Sequence, residues 1–588
     1  MQTLKKFAPH LLLISTIYLT TIWINFYYIA TFNVDFNKYY PYINNLSGLE
    51  DKIGYGQNSL YYYLVLIIIN LRIEFISADN VDLIISNSVQ ILNLLFYLIG
   101  LIGLFQFLKT YKFLNKNILF SLSILSFFPQ SIYLRAVMKP EILSFALFSW
   151  VLYFVRAYLE SKNIKYLYII AIPLSLILNL KASIAGMVVA YLIIFHFNDL
   201  KKIKIKSVLT LLFLLICIFS LIQFENLQIT ENYIFERNYE EEYDNKADPL
   251  ILFKFDLKNL FLKPFLKYDY ENNFYSIHAN SILNITLLDT FGDHFEQLFD
   301  SDLNYFFRHR KIFVQPGETN SFNENRVFEY SGPFSNLISY NINHLRKIVS
   351  IIYSILFLFL TIYYSIFDKN NRNIYLAPIV GIFVLYLNSL GIPSNNFSPY
   401  KGDTFKAFYY SFFLLISFSF IVCKLIKSKN SLLVKLLITF IFIPSVFFIG
   451  GHPKFNDQNF SSYMVIANDY SYFCGLNNFL FFENNFIKSI HPSGNITNVE
   501  SDCVMKRNEE DTKSSKSFYD HCFEESSKEL VLLDKENKNS DKCRSYYFKI
   551  IDNDFLETNQ KIPFASIIIL MSSLLLFFQR FRKIFNVH

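Results

Sequence analysis

Apolar runs of membrane-crossing length alternate with strongly polar stretches from one end of this chain to the other. A helix of roughly 17–25 apolar residues spans the hydrocarbon core of a bilayer. Runs of that kind fall at residues 10–30, 84–108, 117–134, 141–158, 166–180, 183–198, 207–223, 346–366, 374–391, 405–426, 432–450 and 563–579. The pattern predicts an all-α polytopic membrane protein with about 12 transmembrane helices. Tyr61 to Leu71 is apolar too, but its length of about 11 residues suits an interfacial or re-entrant helix rather than a span. Tyr61–Tyr63 then reads as part of an aromatic belt. The stretch from Tyr166 to Phe197 is too long for one ordinary span and short for two, with Asn179 and Lys181 in its middle.

Charge decides that stretch. Two short helices leave one set of clusters on a single side: Lys5 and Lys6; Lys109, Lys112 and Lys116; Lys162 and Lys165; Lys201, Lys202, Lys204 and Lys206; Lys424, Lys427, Lys429 and Lys435; Arg580, Arg582 and Lys583. That is the positive-inside arrangement, and a single span would reverse everything after Phe197. Both termini are then cytoplasmic, and the expected location is a bacterial inner membrane. The chain divides into a first membrane module at 1–223 with a juxtamembrane loop at 31–83, an outer loop at 224–345, a second module at 346–450, an outer region at 451–562, and a last helix with its tail at 563–588.

Composition agrees. Hydrophobic residues make up 53% and charged ones 17%, against roughly 25% charged in soluble domains. No basic domain is present to support a nucleic-acid partner. Of six cysteines, Cys217 and Cys423 sit in spans as apolar fillers. Cys474, Cys503, Cys522 and Cys543 all lie in the last outer region, which points to two disulfides in an oxidising compartment. Three pairings are open. Metal ligation is the alternative, without a CxxC spacing behind it. Glu529 to Asp534 reads as a strand, so the region is expected to be a small disulfide-bonded α+β cap.

The candidate chemistry lies on the outer side. Asp35, Tyr39 and Tyr40 follow the first span; Ser59-Leu60-Tyr61-Tyr62-Tyr63 opens the short apolar helix; Arg135 and Lys139-Pro140-Glu141 lie between the third and fourth spans; Lys181 marks the fifth–sixth junction. In order and sidedness this resembles the GT-C superfamily, the multi-span glycosyltransferases that take sugars from polyprenyl-phosphate donors. Those proteins tend to carry an acidic residue and an aromatic after span one, a P-P-L-Y-Y-L juxtamembrane helix, an acidic residue opening the fourth span and a T-K further on. Residues 10–200 carry the resemblance. Asn58-Ser59 stands where the prolines would be, and Leu180 where the Thr would be.

The resemblance implies a GT-C-like fold and sugar transfer on the extracytoplasmic face to a lipid, glycan or protein acceptor. Chemistry makes a similar demand. Displacing polyprenyl phosphate needs a base for the acceptor hydroxyl and a cation for the departing anion. Asp35 is the candidate base for an inverting displacement. Arg135 and Lys181 are candidates for the donor phosphate, with Lys401 and Lys406 beside the tenth span. Glu141 is a candidate for sugar, acceptor or a divalent cation, Mg or Mn; Tyr39 and Tyr40 are candidate substrate contacts. Asp289, Asp293 and His294 belong to an outer patch of acids, His and aromatics suited to sugar hydroxyls and stacking.

Each residue also has an ordinary reading. Asp35 is a loop carboxylate, Glu141 a helix N-terminal charge, Arg135 an interface anchor, and Lys181 a snorkelling side chain. The Asp289–His294 patch is a solvated turn. Competing functions are a polymerase, ligase or flippase of lipid-linked glycans, and a transporter. No Walker A, GxSxG or HExxH appears.

Overall fold

A computed structural model describes residues 2–27, 42–43, 46, 57–73, 81–230, 245–246, 282–291, 340–391, 393–394, 407–427 and 561–585, together with short strands between 479 and 545. Its helices are α1 (Gln2–Tyr27), α2 (Leu60–Ile73), α3 (Val81–Thr110), α4 (Asn115–Leu125), α5 (Pro129–Ala136), α6 (Glu141–Ser161), α7 (Lys165–Leu180) and α8 (Ala182–Leu200). They continue as α9 (Ile205–Thr230), α10 (Ile282–Phe291), α11 (Tyr340–Phe367), α12 (Arg372–Gly391), α13 (Ser411–Lys427) and α14 (Phe564–Phe585).

Within α1, α3, α6, α8 and α9 lie apolar segments of spanning length; the bent pairs α4–α5 and α11–α12 raise the candidates to seven. α2, α7 and α14 are shorter apolar helices. The span expected at 432–450 lies outside the described residues. Wide apolar surfaces remain uncovered, such as Leu209, Leu212, Phe213 and Ile216 on α9 and Ile568, Met571, Leu575 and Phe578 on α14. Such faces belong in hydrocarbon, where a helix satisfies its own backbone groups. The chain is an integral membrane protein.

The span expected as one helix over 117–134 is broken. α4 and α5 meet at 63°. Pro129 is the cause: it disfavours helical geometry at the preceding residue, and Phe128 is extended at φ −63°, ψ 129°. The stretch at 166–197 does divide into two helices, joined by extended Lys181 at φ −166°, ψ 140°. Lys162, just before α7, and His196, near the end of α8, line one cavity. The two helices therefore return to the same end of the bundle.

Close packing organises the centre. Gly100 and Gly103 of α3 face Phe145 and Trp150 of α6, where an added Cβ would lie 2.4 Å and 2.7 Å from those rings. Small residues at such a crossing let two helices approach in lipid. Trp150 donates to the Ile99 carbonyl at 3.1 Å and stacks on Phe577 at 4.6 Å, which holds α14 against α6.

The expected aromatic belt at Tyr61–Tyr63 is core instead, since all three side chains are buried. Tyr62 stacks on Tyr42 at 4.6 Å and donates to Gln57 Oε1 at 2.6 Å. The expected solvated turn at 287–295 is also corrected in part. Residues through Phe291 are helical in α10, and Phe291 packs edge-on against Phe128 at 5.0 Å.

A two-stranded pairing joins β1 (Asn245–Lys246) to β2 (Pro393–Ser394). In the 451–562 region the described elements are strands: β3 (Phe479–Glu483), β4 (Phe486–Ile490), β5 (Ile496–Asn498), β6 (Cys522–Ser526), β7 (Glu529–Leu532) and β8 (Arg544–Ser545). They form an antiparallel sheet in the order β3-β4-β7-β6-β8, with β5 on β4. The strand expected from Glu529 is present as β7.

Candidate active site

One end of the bundle gathers its junctions around Lys181. The segment entering α2 forms an antiparallel bridge from Gln57 to Lys181, and the Asn58 N–H donates to the Leu180 carbonyl at 3.2 Å. Asn58 Oδ1 accepts from the Leu60 N–H at 2.8 Å. This side-chain cap supplies one of the partners a helix start lacks, at the place where the resemblance led one to expect proline. The Ser59 N–H donates to Asn226 Oδ1 at 3.1 Å and thereby fixes α2 to α9.

Into this frame project ionisable groups that a membrane protein normally keeps wet. Lys181 Nζ donates to Glu141 Oε1 at 3.0 Å; the Glu141 side chain has no exposure and that of Lys181 is 14% exposed. The ammonium also lies 4.3 Å from the centre of the Tyr409 ring, a favourable cation–π position. Glu141 Oε2 is buried without a hydrogen-bond partner. Lys139, two residues earlier, is fully buried as well. Burying charge costs several kcal/mol per ion, by order of magnitude, even after pairing. A buried pair with an unused carboxylate oxygen is therefore a poor stability device and a reasonable ligand device.

The loop bearing Lys139 is held from behind by Asn93 of α3. Asn93 Nδ2 donates to the Val137 carbonyl at 2.7 Å and the Arg135 carbonyl at 3.3 Å, and Tyr61 donates to Asn93 Oδ1 at 2.7 Å. Sequence reading passed over Asn93 and gave Lys139 no role. A signal existed: an amide inside an apolar span, and a lysine beside a helix-opening proline, are both expensive unless they serve something.

Arg135, a candidate for the donor phosphate, lies inside the bundle. Its guanidinium is buried and spent on protein oxygens: Nε donates to the Ser131 carbonyl at 3.1 Å, Nη1 to Thr20 Oγ1 at 2.8 Å, and Nη2 to the Ser126 carbonyl at 2.7 Å. It lies 4.6 Å from the Tyr97 ring centre. Arg135 ties α1 across the break between α4 and α5 and meets the Ser126 carbonyl at that break. This matches the anchor reading, inside the bundle rather than at its interface.

Glu225 was also missed. Its carboxylate accepts from the backbone N–H groups of Ala565 and Ser566 and from Ser566 Oγ. It thus caps the start of α14, where an anion suits the helix dipole. Lys561 donates its N–H to the Leu46 carbonyl at 2.7 Å and its Nζ to the Ile229 carbonyl at 3.3 Å.

Asp35, Tyr39, Tyr40, Lys401, Lys406, Asp293 and His294 lie outside the described residues, as do Cys474, Cys503 and Cys543. Asp289 falls in α10 and Cys522 opens β6, with their side chains outside the described set. Among the described residues no three His, Cys, Asp or Glu side chains converge.

Residues 84–223, from α3 to α9, match the family model described as dolichyl-phosphate-mannose-protein mannosyltransferase. Over this segment the chain resembles the GT-C superfamily. The GT-C-like segment contains Asn93, Arg135, Lys139, Glu141 and Lys181, and so the whole described ionic cluster. It leaves out the region around Asp35. No curated protein matches the chain.

Proposed function

We propose that the protein is a membrane glycosyltransferase that moves a sugar from a polyprenyl-phosphate donor to an acceptor at the Lys181 end of the bundle, on the extracytoplasmic face. The carrying observation is the buried Glu141–Lys181 pair, inside the segment that matches a family named for dolichyl-phosphate-mannose donors. Asp35 takes the acceptor's hydroxyl proton. The freed oxygen attacks the anomeric carbon, the bond to the phosphate oxygen breaks, and the electron pair leaves with the polyprenyl phosphate. Attack opposite the leaving group inverts the anomeric centre.

Lys181 stabilises the departing phosphate, while Glu141 holds the ammonium in place and offers Oε2 to a sugar hydroxyl. The bridge from Gln57 to Lys181 supports this reading, because the chain segment that carries Asp35, Tyr39 and Tyr40 enters α2 there. Lys406 directly precedes the turn containing Tyr409, the ring beside Lys181. That supports Lys406, with Lys401, as a second phosphate contact. Asp289, Asp293 and His294 are proposed acceptor or sugar contacts.

The outer sheet is proposed to choose the acceptor, with Cys474, Cys503, Cys522 and Cys543 in two disulfides. Strand β6, which begins at Cys522, pairs with Arg544 and Ser545, the residues following Cys543. That register sets Cys522 opposite Ser545, and the pairing of the four cysteines is testable by peptide mapping without reduction.

The deciding experiment supplies purified protein with a polyprenyl-phosphate monosaccharide and measures release of polyprenyl phosphate. The expectation is turnover that Asp35→Asn abolishes and Lys181→Met lowers by about a hundredfold, of the order seen on removing one transition-state charge partner. An Asp35→Asn protein that folds and transfers at the parental rate removes the base. Activity only on preassembled glycan would make the protein a polymerase or ligase.

A further inference from the structure

The opposite end of the bundle holds a second constellation that the transfer reaction does not use. A cavity of about 410 Å³ opens between the ends of α6 and α8 and the start of α12. Its rim carries four cations, Arg156, Lys162, Lys369 and Arg372. Among the described residues its lining has one carboxylate, Asp199, which lies 3.9 Å from Lys202. Glu160 accepts from Arg156 Nε at 3.0 Å and offsets part of one rim charge. Asp368, next to Lys369, is engaged elsewhere by Lys424, Asn371 and Tyr375.

His196 lies deeper in the same cavity. Its side chain is 9% exposed, and neither ring nitrogen has a hydrogen-bond partner. Asp199 Oδ2 stands 3.9 Å from Nδ1, beyond hydrogen-bond reach. A buried imidazole with an unmatched N–H costs free energy unless something meets it. Lys162 points the same way. It holds left-handed backbone at φ 55°, a conformation that favours glycine, and yet presents a long cationic side chain to this cavity.

We propose that this cavity binds a phosphate mono- or diester, with the rim cations supplying charge and the His196 N–H donating to a phosphate oxygen. Its lining residues Tyr111 and Asp199 adjoin Lys112, Lys201 and Lys202 along the chain, a lysine-rich end to which anionic head groups would be drawn. A basic pocket between helix ends there suits an anionic lipid head group; a soluble phosphate would use the same groups.

The test uses the full chain in phosphatidylcholine nanodiscs, with phosphatidylglycerol and inorganic phosphate as separate probes and binding read by native mass spectrometry. Saturable phosphatidylglycerol binding, about tenfold tighter than phosphatidylcholine, supports the site and assigns it to a lipid; each rim charge removed should weaken it about fivefold. Saturable inorganic phosphate without lipid preference supports the site and assigns it to a soluble anion. Lys162→Gly removes a charge while relaxing the backbone, so its loss of binding is not a folding defect, and Lys369→Gln checks a second rim position. Binding of neither probe, or parental affinity in Lys162→Gly/Lys369→Gln, overturns the proposal. Sugar transfer is not the readout, so the outcome stands apart from the enzyme reading.

Discussion

At the Lys181 end, Lys139, Glu141 and Lys181 are drawn into the protein and fixed by neighbouring backbone and amides. At the far end, Lys162, Lys369 and Arg372 stay exposed around their cavity, and Arg156 is half-buried. Buried ions cost folding free energy and gain strong, directional electrostatics in a low dielectric. Exposed ones cost little and act as a screened field. The first arrangement fits chemistry on a reacting bond, and the second fits holding a charged group. The difference teaches that similar residue types at two helix junctions serve unlike ends, decided by how much water reaches them.

The sharpest way to break this contrast is at Lys181. Lys181→Met strands Glu141 in the interior, and the expected loss is about 3 kcal/mol of stability, near the lower end for a broken buried pair because Lys181 keeps some exposure. Lys181→Met/Glu141→Leu should recover most of the melting temperature and none of the transfer. If the double variant transfers sugar, the pair is structural only.

Arg135 sharpens the contrast within the buried end. Arg135→Met takes the guanidinium donors from the Ser126 and Ser131 carbonyls and from Thr20, of which the Ser131 carbonyl keeps its helix donor and Thr20 its bond to the Thr16 carbonyl, for an expected cost of about 1–3 kcal/mol. Donor KM per folded molecule should stay unchanged. A rise in KM measured on the folded fraction would return Arg135 to the phosphate.

Lys162→Gly probes the exposed end. Relief of left-handed backbone should raise stability by about 1 kcal/mol, seen as a higher unfolding midpoint, while phosphate binding weakens. A fall in the midpoint would mean the lysine makes contacts that outweigh its strain.

The smallest effect concerns pH at the turn between α11 and α12. Burial raises the Asp368 carboxyl, but the hydrogen bonds and charge of Lys424, Asn371 and Tyr375 outweigh it and hold it below the usual carboxylate range. A depressed folded pKa contributes stability that is present above the unfolded value. That stability is lost as pH falls through the folded one. Stability should therefore decline as pH drops below about 4, and Asp368→Asn should flatten that part of the curve. An unchanged acid limb would show that the charge is screened.

Much of the fold was legible because hydrocarbon imposes one rule on every span: a long apolar run must be helical. The runs at 84–108, 141–158 and 207–223 returned as α3, α6 and α9 for that reason, and lysine positions alone divided 166–197 into α7 and α8. Glu141 and Lys181 could be named as candidates because charge near an apolar helix is costly and seldom idle. Which charges meet was another matter. Glu141 and Lys181 stand forty positions apart, and nothing local distinguishes Lys181, which reaches Glu141, from Arg135, which turns inward to Thr20 and two carbonyls. Periodicity reports which face of a helix is apolar. The choice between a ligand and an anchor is made by the neighbours that folding brings within three ångströms.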